Sequence, residues 1–201
     1  MYIKPAILAL TLFSVQSALA AKTKTSPKQH DDVYKAMTRS GTYFLLRRTY
    51  RLQKAGSNCT YVTVTKKDEA QQTLTVIGGK YDAKKKKYGK EKSYISTQLG
   101  SPKSKNDMKI SGAPNGPGVH YEMIYDDGKG CSALKITKVD KEAKHFNQTH
   151  VGACELWATK KEAPHINSIS FCEVKYFNLC KPDTTKEDTP YKTNCAEPPT
   201  S

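Results

Sequence analysis

The chain has 201 residues, 37% hydrophobic and 26% charged, and its 33 Lys+Arg against 19 Asp+Glu leave a formal charge of +14. That balance supports a buried core and argues against a wholly disordered chain. It leaves no place for the several apolar runs of about 20 residues that a multi-spanning membrane protein needs. The positive excess narrows the partners to nucleic acid, sulphated glycans, acidic membranes or anionic ligands.

Residues 1–20 read as a secretory leader. Lys4 precedes an apolar stretch from Ala6 to Val15, and Ala18-Leu19-Ala20 follows as an Ala-x-Ala cleavage site. An uncleaved anchor would need a longer apolar run. Cleavage after Ala20 takes 20 residues from 201 and leaves 181. Lys4 is the only charged side chain removed, so the secreted chain stays near +13 (32 basic, 19 acidic). Export changes the reading of the six cysteines, Cys59, Cys131, Cys154, Cys172, Cys180 and Cys195. An even count in an oxidising compartment predicts three disulfides, with 15 possible pairings. A zinc site is disfavoured, because there is no Cys-x-x-Cys pair and no histidine at ligand spacing. The sequons Asn58-Cys59-Thr60 and Asn147-Gln148-Thr149 offer two glycosylation sites.

Asp31–Met37 predicts a short helix. Strands follow at Thr42–Arg51, Cys59–Thr65, Gln72–Ile77, Lys92–Leu99, Met108–Ser111, Val119–Tyr125, Cys131–Lys138 and Cys154–Thr159, where Tyr, Thr, Val and Ile dominate. Eight such segments without intervening helices predict an antiparallel sandwich or barrel over residues 41–160. Lys84-Lys85-Lys86-Lys87, with Lys90 and Lys92 beyond, falls between the third and fourth strands. A helix over residues 170–180 opens on Ser170 with Glu173 three residues on, the form of a capping box, and ends before Pro182. Phe171, Val174, Phe177 and Leu179 are its expected apolar contacts. Cys172 and Cys180 fall about 80° apart around its axis and can face one surface. The polar tail 181–201 is tied down by Cys195.

On these residues the chain resembles the tick salivary lipocalins, the group of the tick histamine-binding proteins. The likeness rests on the aromatic-rich Tyr43–Tyr50 and on Asn58-Cys59-Thr60 and Cys131, each opening a strand. It also rests on Glu155-Leu156-Trp157, Cys172 and the final Cys195. The usual Gly-x-Trp signature is missing. The resemblance implies one domain over residues 21–201, an eight-stranded antiparallel lipocalin barrel with a C-terminal helix outside. It also implies Cys59–Cys195 and Cys131–Cys172 disulfides, which leave Cys154 with Cys180. Strand parity agrees: an outward Cys131 turns Ser132, Leu134 and Ile136 inward, and an outward Cys154 does the same for Glu155 and Trp157.

A small-ligand site is then expected in the barrel mouth. With Tyr50 inward, as the resemblance implies, parity predicts a lining of Phe44, Leu46 and Arg48 on the same strand. Val62, Val64, Tyr121, Met123, Tyr125, Glu155 and Trp157 complete it. Glu91 matches a position that carries a carboxylate in amine-binding members. Those members have Asp where this chain has Ser132, and a further acidic position falls on Gln53. The segment between Cys131 and Glu155 is also longer than their pattern. Carboxylates and aromatic faces suit a cationic amine, whereas an inward Arg48 suits a carboxylate ligand such as a leukotriene. Glu155 has a second reading, as a partner for a buried tyrosine hydroxyl.

The lysine run reads first as a solvated, self-repelling loop. Its alternative is a site for heparan sulphate, anionic lipid or an acidic host protein. Nucleic acid fits poorly, since the protein is exported and only Tyr81 and Tyr88 could stack on bases. No Gly-x-Ser-x-Gly elbow, His-Glu-x-x-His pair or phosphate-binding glycine loop occurs, so no enzyme is expected. The expected function is sequestration of a small host mediator, a biogenic amine or a lipid, by a secreted monomer without cofactor or metal.

Overall fold

The structure is a computed structural model that describes residues 32–52, 58–97, 99, 104–143, 145–166 and 170–200. The leader and Gln53 lie outside the described residues. Ten strands occur among these: β1 (Thr42–Arg48), β2 (Tyr61–Asp68), β3 (Thr73–Gly79), β4 (Tyr81–Asp82), β5 (Lys87–Tyr88), β6 (Glu91–Thr97), β7 (Asp107–Ser111), β8 (Gly118–Asp126), β9 (Cys131–Val139) and β10 (Cys154–Thr159). Eight of them close an antiparallel barrel in the order β1-β10-β9-β8-β7-β6-β3-β2, and β4 with β5 forms a separate hairpin. This is a lipocalin-type barrel. The barrel strands match the eight predicted segments to within a few residues at each end. The short β4–β5 hairpin was not foreseen, because two-residue strands leave no periodicity.

Alternation fills the interior with Leu74, Val76, Ile95, Met108, Met123 and Ile136, all nearly or fully buried. It is broken by four register shifts, and two of them alter the expected lining. In β1 the register passes from Leu45↔Trp157 to Arg47↔Leu156, so Leu46 is an extra residue. Directly paired residues share a face. Leu45 therefore points inward with Trp157, Arg47 outward with Leu156, and Arg48 inward with Glu155. Phe44 and Leu46 join the cluster outside the barrel, with Cys131, Cys154 and Cys172. In β8 a shift between Met123 and Tyr125 keeps Met123 inside and turns Tyr125 out. The expected lining thus loses Phe44, Leu46 and Tyr125, and the physical reason is one inserted residue in each strand.

Helix α1 (Val33–Thr38) plugs the end where β1 begins, burying Val33, Tyr34, Ala36 and Met37. The Asp32 side chain accepts the Lys35 N–H as N-cap. The Tyr43 hydroxyl donates to Ala36 O at 2.6 Å. Arg39, just past the helix, makes two bonds of 3.0 and 2.8 Å to the fully buried Asp126. Ser132 donates to the same carboxylate at 2.9 Å.

Helix α2 (Phe171–Cys180) packs outside against β8, β9 and β10. Ser170 accepts the Glu173 N–H at 3.2 Å, the first half of the expected capping box. The second half is replaced: Glu173 turns into the protein and takes Arg47 Nε at 2.5 Å. The buried face is Cys172, Glu173 and Tyr176. Phe171, Val174 and Leu179 are 42%, 42% and 51% exposed, so these expected contacts point to solvent instead. Lys181 closes the helix in the left-handed region, with φ +44°, before Pro182. Disulfides Cys131–Cys172 and Cys154–Cys180 fasten α2 to β9 and β10, and Cys59–Cys195 fastens the tail to the entry of β2. These are the pairings that the resemblance implies. Each bridge adds stability on the order of 3–5 kcal/mol.

Candidate binding site in the barrel mouth

The opposite end of the barrel, where β1 finishes, holds a cavity of about 420 Å³. Its wall comes from β6, β7, β8 and the β9–β10 loop: Ser93, Ile110, Val119 and Tyr121 within, Glu91, Glu142, His145 and Phe146 at the rim. Glu91 and Glu142 line it with His145, and no Lys or Arg belongs to the lining among the described residues. The volume lies within the range of small-ligand sites.

The rest of the mouth is closed by a polar knot on the β1–β10 side. Glu155 is only 4% exposed and its oxygens meet three donors. Oε1 accepts the Tyr50 hydroxyl in a short bond and the Tyr121 hydroxyl at 3.3 Å, and Oε2 accepts Trp157 Nε1–H at 2.8 Å. Burial, reinforced by the charge on Glu155, holds both phenols well above the ordinary tyrosine range. Arg48 lies opposite Glu155 in the ladder and stacks over the Tyr50 ring at 5.1 Å. Its ion-pair partner is Asp188 of the tail, at 2.9 Å from Nε and 2.5 Å from Nη2. Reciprocal backbone bonds of 2.9 Å between residues 48 and 188 hold the tail there.

The long β9–β10 connection covers this knot. Its short 3-10 turn Gln148–His150 places His150 edge-on to Tyr50 at 5.0 Å, with Phe146 6.1 Å from Tyr50. The sequon residue Asn147 caps this turn and is exposed, as is Asn58.

Of the residues expected to touch a ligand, Glu91 and Tyr121 reach the cavity wall. Tyr50, Arg48, Glu155 and Trp157 are gathered beside it, with Tyr121 shared between knot and cavity. Ser132 lies at the plugged end with Arg39 and Asp126, and Phe44 is outside, its ring 5.3 Å from Tyr191. Sequence reasoning missed Glu142, His145 and Phe146, although the unusual length of their segment was a signal. It also missed Asp126 and Asp188. Asp126-Asp127-Gly128 has the look of a turn, and Asp188 sits in a polar tail with no periodicity.

Similarity to known proteins agrees with this architecture. A crystal structure of AM182 in complex with serotonin superposes with a TM-score of 0.59 at 15% identity, covering 87% of this chain and 96% of that one. The cockroach allergen Per a 4 follows with a TM-score of 0.51 at 14% identity, over 82% and 90% of the two chains. Apocrustacyanin C2 gives a TM-score of 0.50 at 11% identity, over 84% and 91%. At such identities the likeness carries the fold alone. No curated protein matches the sequence significantly. The family described as tick histamine binding protein matches residues 21–197, and the chain therefore belongs to the tick histamine-binding protein family, whose members are lipocalin-type small-ligand binders rather than enzymes.

Proposed function

We propose that the protein is a secreted scavenger that binds a small cationic amine in the mouth cavity. The carrying observation is the pair of carboxylates, Glu91 and Glu142, in the cavity lining, which among the described residues holds no Lys or Arg. An ammonium entering it loses hydration, which carboxylates replace, and the faces of Tyr121 and Phe146 add cation–π attraction. The family's description and the serotonin bound to AM182 support an amine of the histamine or serotonin type. The leader and three disulfides support export. Holding such a mediator needs affinity and abundance but no chemistry.

The lipid-mediator reading loses its main support here. Arg48 does point inward, but Asp188 neutralises it, and it is not part of the cavity lining. Titration calorimetry with histamine, serotonin and a leukotriene tests the assignment. An amine is expected to bind at micromolar Kd or tighter, about −8 kcal/mol. Glu91→Gln with Glu142→Gln is expected to weaken it roughly 10- to 100-fold, about 1.4 kcal/mol per decade. Leukotriene binding with no amine binding would overturn the assignment.

A further inference from the structure

Lys84–Lys87 does not sit in a loose loop. It forms the tip of the β4–β5 hairpin, all four lysines exposed. Asp82 Oδ1 accepts the N–H groups of Lys84 and Lys85 at 3.0 and 3.1 Å, and Lys86 takes the left-handed conformation, φ +50°, that completes the turn. The base is just as firmly built. Tyr88 packs edge-on between Tyr61 and Tyr81, with ring centres at 5.0 and 5.3 Å. Its hydroxyl donates to Ala196 O at 2.7 Å, beside the Cys59–Cys195 bridge, and Tyr61 donates to Gly89 O at 3.0 Å. Gly79 and Gly89 lie so close that a Cβ on Gly79 would strike the Gly89 carbonyl. Like charges on neighbouring residues repel, and a solvated run relaxes by spreading. Here a carboxylate-capped turn, a tyrosine trio and a disulfide-tethered tail hold the lysines together instead.

We propose that this hairpin is a docking site for a sulphated polysaccharide of the heparan sulphate class. From residue 80 to residue 92 seven lysines face two carboxylates, Asp82 and Glu91, and Asp82 is spent on its own turn. A linear polyanion releases counterions on meeting such a cluster, and a preformed tip loses little conformational freedom on binding. The tip carries no large apolar side chain to enter a bilayer. Its tyrosines are engaged with one another and offer no platform for bases.

The test uses the full disulfide-bonded protein on immobilised heparin. Wild type is expected to be retained at physiological salt. Substituting Lys84, Lys85, Lys86 and Lys87 together by Gln removes that retention and lowers the slope of log affinity against log salt by roughly one unit per lysine. A control with the same charge change at the exposed Lys66, Lys129, Lys135 and Lys161 is expected to keep most of the retention. Equal loss in both variants would show diffuse attraction to net charge and overturn the site. So would equal binding to unsulphated hyaluronan or to phosphatidylserine vesicles. Amine affinity is measured alongside, so that failure of the cavity assignment is separate from failure of this one.

Discussion

Replacing Glu155 by Gln tests the polar knot directly. The carboxylate serves three buried donors: Tyr50 and Tyr121 on one oxygen, Trp157 on the other. A glutamine cannot reproduce this. With its carbonyl toward the tyrosines, its NH₂ group faces the indole N–H, donor against donor. With its carbonyl toward Trp157, the NH₂ group faces two phenol oxygens, and each hydroxyl must turn and find another acceptor in a site with almost no solvent. Either way at least one buried donor is unpaired, which costs about 1–3 kcal/mol, and the surviving bonds lose their charge assistance. The expected total is about 2–4 kcal/mol.

For a domain of this size that corresponds to roughly 4–16 °C in Tm, at 2–4 °C per kcal/mol. Trp157, the one tryptophan in the chain, reports on the knot itself. Thermal and urea unfolding without reductant, followed by its fluorescence, give the loss. Glu155 itself does not line the cavity, although its partner Tyr121 does, so amine affinity should fall less than in the Glu91→Gln with Glu142→Gln variant. A variant as stable as wild type to within about 0.5 kcal/mol would show that these donors do not depend on a carboxylate, and the reasoning would fail.

Asp188→Asn should destabilise the protein by about 2 kcal/mol, since it leaves the nearly buried Arg48 without its counter-charge. In an Arg48→Met background the same change should cost little; full additivity in that double-mutant cycle would refute the pairing. Asp140 is held well below the usual carboxylate range by Lys138, with further hydrogen bonds from the Gly118 N–H and His120. The unfolded chain takes up this proton near pH 4 and the folded one only below that. The associated stability is therefore complete above about pH 4 and lost as the pH falls further. Urea titrations at pH 7 and pH 3 should show a smaller difference for Asp140→Asn than for wild type, and an unchanged difference would exclude this residue. Tyr43 and Tyr125 are pushed up to about 12, chiefly by burial. Their contribution is intact below about pH 10, the unfolded value, and declines up to about pH 12. Tyr43→Phe should shallow this alkaline loss and cost about 1 kcal/mol at neutral pH through the missing bond to Ala36; a steeper alkaline loss would count against the assignment.

The barrel could be read from the sequence because its strands alternate against one core, and because β9 and β10 do so without interruption over the residues used. Ser132, Leu134, Ile136, Glu155 and Trp157 all face inward as parity requires. Where a strand takes an extra residue, parity inverts with no warning in composition: Leu45 and Leu46 look interchangeable, yet only Leu45 pairs with Trp157 on the inside. Helix α2 misled for a related reason. Its apolar residues surround the axis, so hydrophobicity does not choose a face. The choice is made by Cys172 and Cys180, by Tyr176, and by Glu173 reaching Arg47. The candidate site was legible in part, since Glu91 and Tyr121 lie on strands. Glu142 and Phe146 lie on an irregular connection, whose path depends on what it covers.

The hairpin tip is basic, whereas the described cavity lining carries two carboxylates, Glu91 and Glu142. Glu91 begins β6 on the cavity rim, while Lys87 lies four residues back in β5. Along the chain that is at most about 13 Å, and Lys90 and Lys92 flank Glu91 directly. An ammonium about 4 Å from a rim carboxylate gains about 4 kcal/mol of attraction at the effective dielectric of a protein surface, before desolvation. A lysine about 13 Å away through solvent opposes it by about 0.3 kcal/mol before screening and by less than 0.1 afterwards. A cation in contact with a rim carboxylate therefore gains more than a lysine at that distance takes away, so a chain of formal charge +14 can still favour a cation there. For an extended polyanion the exposed tip lysines are the first contacts. The two proposed sites would then respond differently to salt, which weakens contacts to an exposed lysine cluster more than a contact made inside the mouth.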